Sequence, residues 1–374
     1  MERPPSIAPA PDDVDPRWER TRALLRALLI GSIGGALFAW ARLPLPWLLG
    51  AMAATTVAAV RGSPIHVPPL LRDVMLAALG VMLGSRVTPD AANRLGEWVV
   101  TLLGLALYVV VAGAASYAFL RQVGGYDRVT SFFSGMPGGI NEMVTVGSEM
   151  GGDERTISLI HAIRVLLVVA LIAAWFRWVE GYGGNGGISA SGHLWEVAAR
   201  DLALLPLAGL LGVLIGQAIR LPAAFMLGPM IVSAVFHLAG WTSSRPPVEV
   251  SAVAQIVLGS ALGSRFSGVP LRRIVNVFWK GAGATLVIMS VAAVASVALN
   301  HLTGIPASAV LLAFAPAGIA EMTLVAFGLG IDVAFVTVHH LARVMIVFIL
   351  APMFFRGIGR WVRWTGDAGE ARRP

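Results

Sequence analysis

PGGINEM, residues 137–143, and PAGIAEM, residues 316–322, decide how this chain is read. Each sets a glutamate, Glu142 or Glu321, three residues after a glycine and inside an otherwise apolar run. The whole chain is 56% hydrophobic and only 13% charged over 374 residues. Soluble domains carry about 25% charged residues. A core of this size could not hide so much apolar surface from water, so the expected solvent is a bilayer. Several apolar runs approach the length of about 18 residues or more that spans one. In that solvent an ionised side chain at mid-span costs roughly 2.5–3.5 kcal/mol. Two such residues in matched settings require an explanation.

The match extends well beyond the two motifs. RLPLPWLLGAM at 42–52 returns as RLPAAFMLGPM at 220–230, and LGVMLGSR at 79–86 returns as LGSALGSR at 258–265. HAIRV at 161–165 returns as HLARV at 340–344. The blocks keep one register to within a single residue, so the chain reads as two homologous halves, 20–180 and 198–358. A Gly/Ser-rich linker, 181–197, joins them. Residues 1–20 are Pro-rich and acidic and read as a disordered cytoplasmic tail. They lack the basic start and apolar stretch of a signal peptide. Residues 359–374 read as a basic cytoplasmic tail.

Each half contains six apolar segments, near 23–41, 45–60, 70–85, 97–120, 129–149 and 157–178 in the first. The second set lies near 202–219, 222–240, 250–264, 276–299, 305–328 and 331–355. The fifth of each set holds the Pro/Gly-Glu motif and either spans fully or re-enters. Re-entry leaves five spans per half. It then places Arg61, Arg72, Arg121, Arg128, Arg220, Arg265, Arg272, Arg273 and Lys280 on the inside with both termini. Full spanning moves the cluster from Arg265 to Lys280 outside and weakens the inside bias of positive charge. The expected fold is therefore an all-α polytopic membrane protein. It has two inverted repeats of about five transmembrane helices, each with a broken, re-entrant segment, as in many secondary transporters. Pro137, Gly138 and Gly139, and Pro316 and Gly318, supply the broken backbone.

Partners for the glutamates are expected on the next segment. Ser158, His161 and Arg164 recur as Thr337, His340 and Arg343, each set at i, i+3 and i+6. Such a set spreads over about 120° of a helix and shares one face. The expectation is that Glu142 pairs with Arg164 and Glu321 with Arg343, directly or crosswise, with the histidines titrating beside them. A static pair locking two helices is the alternative. Asn141 joins the candidate solute-binding set, although its counterpart is Ala320. Arg86 and Arg265 are expected to anchor segment ends at the interface with snorkelling stems. Trp175, Trp178, Trp361 and Trp364 suit an aromatic belt.

The doubled P-x-G-x-x-E-M and H-x-x-R blocks resemble the AbrB-type, or AbrB duplication, family of bacterial membrane proteins over nearly the whole chain. Members carry two labels, ammonia monooxygenase and regulator of gene expression. The resemblance implies a multi-pass protein of the bacterial inner membrane. The enzyme label finds little support: the seven histidines show no dense ligand motif, and the absence of cysteine excludes thiolate metal sites. No catalytic residue, metal or cofactor is expected. No helix-turn-helix or finger pattern supports nucleic-acid binding. The expected partners are membrane lipid and a small polar or ionic solute, and Gly-rich outward faces could support a homodimer. Transport by the duplicated motifs is the favoured function. A membrane sensor or scaffold acting indirectly on gene expression is the first alternative, and an ammonia monooxygenase-like enzyme the second.

Overall fold

The computed structural model describes residues 16–43, 45–87, 94–181, 192–244 and 246–347. The tail 359–374, with Trp361 and Trp364, lies outside them, as do most of the 1–20 tail and most of the linker. Every regular element among the described residues is helical. The first half holds α1 (Pro16–Trp40), α2 (Pro46–Val60), α3 (Pro69–Gly84), α4 (Val99–Gln122), α5 (Arg128–Gly135), α6 (Ile140–Glu149) and α7 (Glu154–Trp178). The second holds α8 (Ala199–Ala218), α9 (Ala224–Leu238), α10 (Val248–Ser264), α11 (Leu271–Thr303), α12 (Ala307–Phe314), α13 (Ile319–Leu329) and α14 (Val333–Val347). Residues 16–20 correct the expected tail, since they form the start of α1. Pro16 and Glu19 suit a first helical turn, one by its fixed φ and the other by its charge.

Among the described residues, α1, α4, α7, α8 and α11 are long and apolar enough to cross a membrane. Shorter apolar helices, including α2, α9, α10 and α14, pack among them. Large apolar side chains face outward along the long helices, as on α4, where Leu103 and Leu107 are exposed. Trp175 and Trp178 are also exposed near the end of α7, in keeping with an aromatic belt.

The fifth segment of each half is not one helix. Residues 136–139 are non-helical and divide α5 from α6. Gly147 of α6 lies against Phe133 of α5, and Gly152 lies against Val129. The Asp153 amide donates to Thr130 Oγ1 at 2.9 Å. Thus α6 turns back beside α5, and α7 departs from the level at which α5 entered. The second half behaves alike. His340 of α14 meets the Leu312 carbonyl of α12, while Thr323 of α13 meets Thr337 of α14. Both segments fold back on themselves as hairpins.

Helix directions follow from the contacts between halves. Leu48 and Met52 lie on Gly259, and Thr55 lies on Gly263, so α2 runs parallel to α10. Gly80 meets Met226 and Gly84 meets Met230, so α3 runs parallel to α9. The start of α3, at Pro69 and Arg72, shares a cavity with the end of α10, at Ser264 and Arg265. Hence α3 is antiparallel to α10, and α2 is antiparallel to α9, the segment it matches in sequence.

Close helix approach explains one pair of repeated glycines. Gly34 and Gly50 face each other across α1 and α2, each meeting the other's carbonyl oxygen. Across α8 and α9, Gly228 meets the Gly212 carbonyl oxygen, and Gly212 meets the Gly228 carbonyl carbon and the Pro229 backbone. A Cβ at any of these positions would collide with backbone, which small residues at membrane helix crossings avoid.

Asp153 closes the base of the first hairpin. Its carboxylate accepts from the Arg155 and Thr156 amides at the start of α7 and pairs with Arg273 of α11 at 2.8 Å. Partial burial pushes its carboxyl up, but the Thr156 hydrogen bonds and the Arg273 charge outweigh that and hold it below the usual range. The stabilisation is therefore present above the unfolded value, about 4, and is lost as pH falls through the folded one. Asp153→Ala is expected to cost about 1 kcal/mol, the usual loss of an N-cap. Thermal unfolding of the detergent-purified protein checks this: the difference from wild type should be full at pH 7 and shrink in acid.

Candidate functional site

Breaking a helix creates two ends with unpaired backbone groups. At the first break, α5 ends on Met136 in extended geometry and α6 begins after Gly139 without a side-chain cap bond. Arg164 of α7 takes up the carbonyls. Its Nη1 donates to Met136 O at 2.8 Å and to Ser134 O at 3.4 Å, and its Nη2 donates to Gly138 O at 3.3 Å. His161 Nε2 lies 3.0 Å from Phe133 O. At the second break Arg343 donates to Ala315 O and Ala317 O, and His340 Nε2 lies 3.0 Å from Leu312 O. Both arginines and both histidines are fully buried. A guanidinium at the carbonyl end of a helix also suits the helix dipole.

The expected Glu–Arg pairs do not form. Neither Arg164 nor Arg343 has a carboxylate within ion-pair distance among the described residues. Instead each glutamate folds back over the N-terminus of its own helix. A Cβ on Gly139 would strike the Glu142 carboxylate, and one on Gly318 would strike that of Glu321. The physical reason is local. Each break offers carbonyls on one side and amides on the other, and the cation and the anion each take the end of opposite sign.

His161 is not poised as expected either. A ring Nε2 facing a carbonyl must carry the proton, so His161 Nδ1 is the acceptor for the adjacent Arg164 Nη2. That pattern fixes a neutral ring, because a second proton would point at the guanidinium. The hydroxyls of the triplets also stand apart. Thr337 bonds Val333 O at 2.7 Å and Thr323 Oγ1 at 3.3 Å, while Ser158 is half-buried on α7. Asn141 lies in the first turn of α6, with its side chain outside the described residues.

Three further residues enter the site. Tyr108 of α4 is buried, with its ring 5.1 Å from Phe314 at the end of α12. It lies within electrostatic reach of both Arg164 and Arg343. Its matched position holds Val287, so duplication could not rank it. Arg265 and Arg72 border a cavity of about 460 Å3 with Ser264, Ile319, Ala320 and Glu321. Both place positive charge at Glu321. Arg265 is therefore not a lipid-facing anchor, and Arg86 stacks on Phe327 of α13 at 4.7 Å. Arg72 also pairs with Asp73 at 2.8 Å. Its matched position is Ser251, which again hides it from the repeat. Among the described residues, no group of three His, Asp or Glu side chains could hold a metal ion.

A family model described as "Transition state regulatory protein AbrB" matches residues 47–359, and the chain belongs to this family. It is 26% identical to "Uncharacterized protein YhjN" of Bacillus subtilis (strain 168), over 88% of this chain and 91% of that protein. It is 24% identical to "Putative regulator AbrB" of Escherichia coli (strain K12), over 89% of this chain and 94% of that protein.

Arg343→Met would leave Ala317 O unpaired, at about 1–3 kcal/mol for a buried acceptor, and would leave Ala315 O with the Ala317 amide alone. The variant is expected to unfold well below wild type in a detergent melt, while Arg343→Lys recovers part of the loss. A Met variant as stable as wild type would show that the break does not need its cap.

Proposed function

We propose that this AbrB-family chain is a secondary transporter of a small polar or charged solute. Its site lies among the duplicated motifs, at the second of the two helix breaks. The observation that carries the reading is the cavity of about 460 Å3 that reaches the first turn of α13 and is bordered by Arg72, Arg265, Ser264 and Glu321. In a bundle with this much apolar surface, a charged cavity at a helix break favours a solute path over a packing defect. The antiparallel course of α2 and α9 supports halves of inverted topology, which suits alternating access. Cytoplasmic termini in a bacterial inner membrane belong to the same proposal.

The regulatory wording attached to the family and to the E. coli relative fits this reading through an indirect route. Moving a signal solute changes gene expression without contact with DNA. Enzymatic activity forms no part of the proposal. A scaffold without transport is the alternative, in which the Arg and Glu caps serve the fold alone.

Sealed proteoliposomes with an internal proton-sensitive dye test it. Small organic acids, amines and ammonium are offered to wild type and to a Glu142→Gln/Glu321→Gln variant. The expected result is a solute-dependent flux in wild type that falls at least tenfold in the variant. A flux that the double variant leaves intact would remove the glutamates from the path.

A further inference from the structure

We propose that Arg164, Arg343 and Tyr108 form a binding site for a small monovalent anion, at the place where α4 crosses both helix breaks. The position follows from packing. Gly113 of α4 lies against Met136, the first residue of the first break, and Tyr108 lies on Phe314, which ends α12. Gly138 lies against Val347 of α14, so the first break also abuts the helix that carries Arg343. Binding at this site is independent of transport.

The chemistry of the unmet groups selects an anion. The Nε atoms of Arg164 and Arg343 and the Tyr108 hydroxyl are buried without a hydrogen-bond partner among the described residues. An arginine Nε is always a donor, and the guanidinium keeps its charge. Exposure is 2% for Arg164, 1% for Arg343 and 2% for Tyr108. Two like charges buried together carry a large desolvation cost unless a counter-charge joins them. Their candidate carboxylates, Glu142 and Glu321, are turned toward their own helix starts. Among the described residues, the surroundings thus hold two full positive charges, unsatisfied donors and no paired carboxylate. With the two glutamates nearby, a single negative charge balances the site better than two.

An inorganic ion and the carboxylate of an organic solute would present the same chemistry, and the probes separate them. The full-length protein, purified in detergent, is melted in sodium gluconate with chloride, bromide or formate added at constant ionic strength and pH. The expected result is a saturable rise in the unfolding midpoint with at least one probe. Response to halide alone marks an inorganic ion site; response to formate as well marks a carboxylate site. Tyr108→Phe removes one hydrogen bond to a charged group, so the apparent affinity should fall about tenfold. Its midpoint without added probe should stay near wild type, since the lost hydroxyl had no partner. Arg164→Lys gives a second reading, with weakened affinity and charge retained. No saturable response to any probe would overturn the proposal. So would a Tyr108→Phe protein that titrates like wild type.

Discussion

A helix interrupted inside an apolar bundle must find partners for the backbone groups at both new ends, because no bulk water is there to supply them. This constraint organises both halves of the protein. On the carbonyl side, Arg164 and His161 reach from α7, and Arg343 and His340 reach from α14. On the amide side, Glu142 and Glu321 fold over the glycines that start α6 and α13. The buried charges thus read as components of the breaks themselves. Their cost is offset locally by charge-assisted hydrogen bonds and by helix-end dipoles. The opposed directions of α2 and α9 extend the doubled plan to the helices that support the breaks.

The two breaks are alike in plan and unlike in detail. Arg164 shares its guanidinium between backbone carbonyls and His161 Nδ1, whereas His340 Nδ1 has no partner among the described residues. The second break adds a tight turn, with the Ala317 amide donating to Ala315 O at 2.9 Å. The charged cavity borders only Glu321, while Glu142 lies outside its lining. Such differences are what a solute path would need if each half contributes a different wall. They also fit the sequence differences between Gly138 and Ala317 and between Asn141 and Ala320.

Much of this was legible from residues alone. Duplication marked the breaks and ranked Glu142, Glu321, His161, His340, Arg164 and Arg343 above their neighbours. The distribution of arginine favoured re-entry, and the contacts of Gly147 and Gly152 agree with it. The pairing was not legible, because opposite charges one segment apart suggest a salt bridge. Only the geometry of the break shows that each charge has a nearer partner in the backbone. Tyr108 and Arg72 were missed because their matched positions are Val287 and Ser251. A repeat can reveal only what both copies retain. Helical residues 16–20 were missed because a proline-rich start obscured a good first turn.

The chain contains no cysteine, so single cysteines can map its topology without background. Cysteines at Arg128 and Glu149 flank the first hairpin, and those at His301 and Ile331 flank the second. Each is reacted with a membrane-impermeant thiol reagent in sealed vesicles of known orientation. The account predicts that 128 and 149 label from one face of the membrane and 301 and 331 from the other. Labelling of 128 and 149 from opposite faces would contradict it, for α5 and α6 would then form one full span.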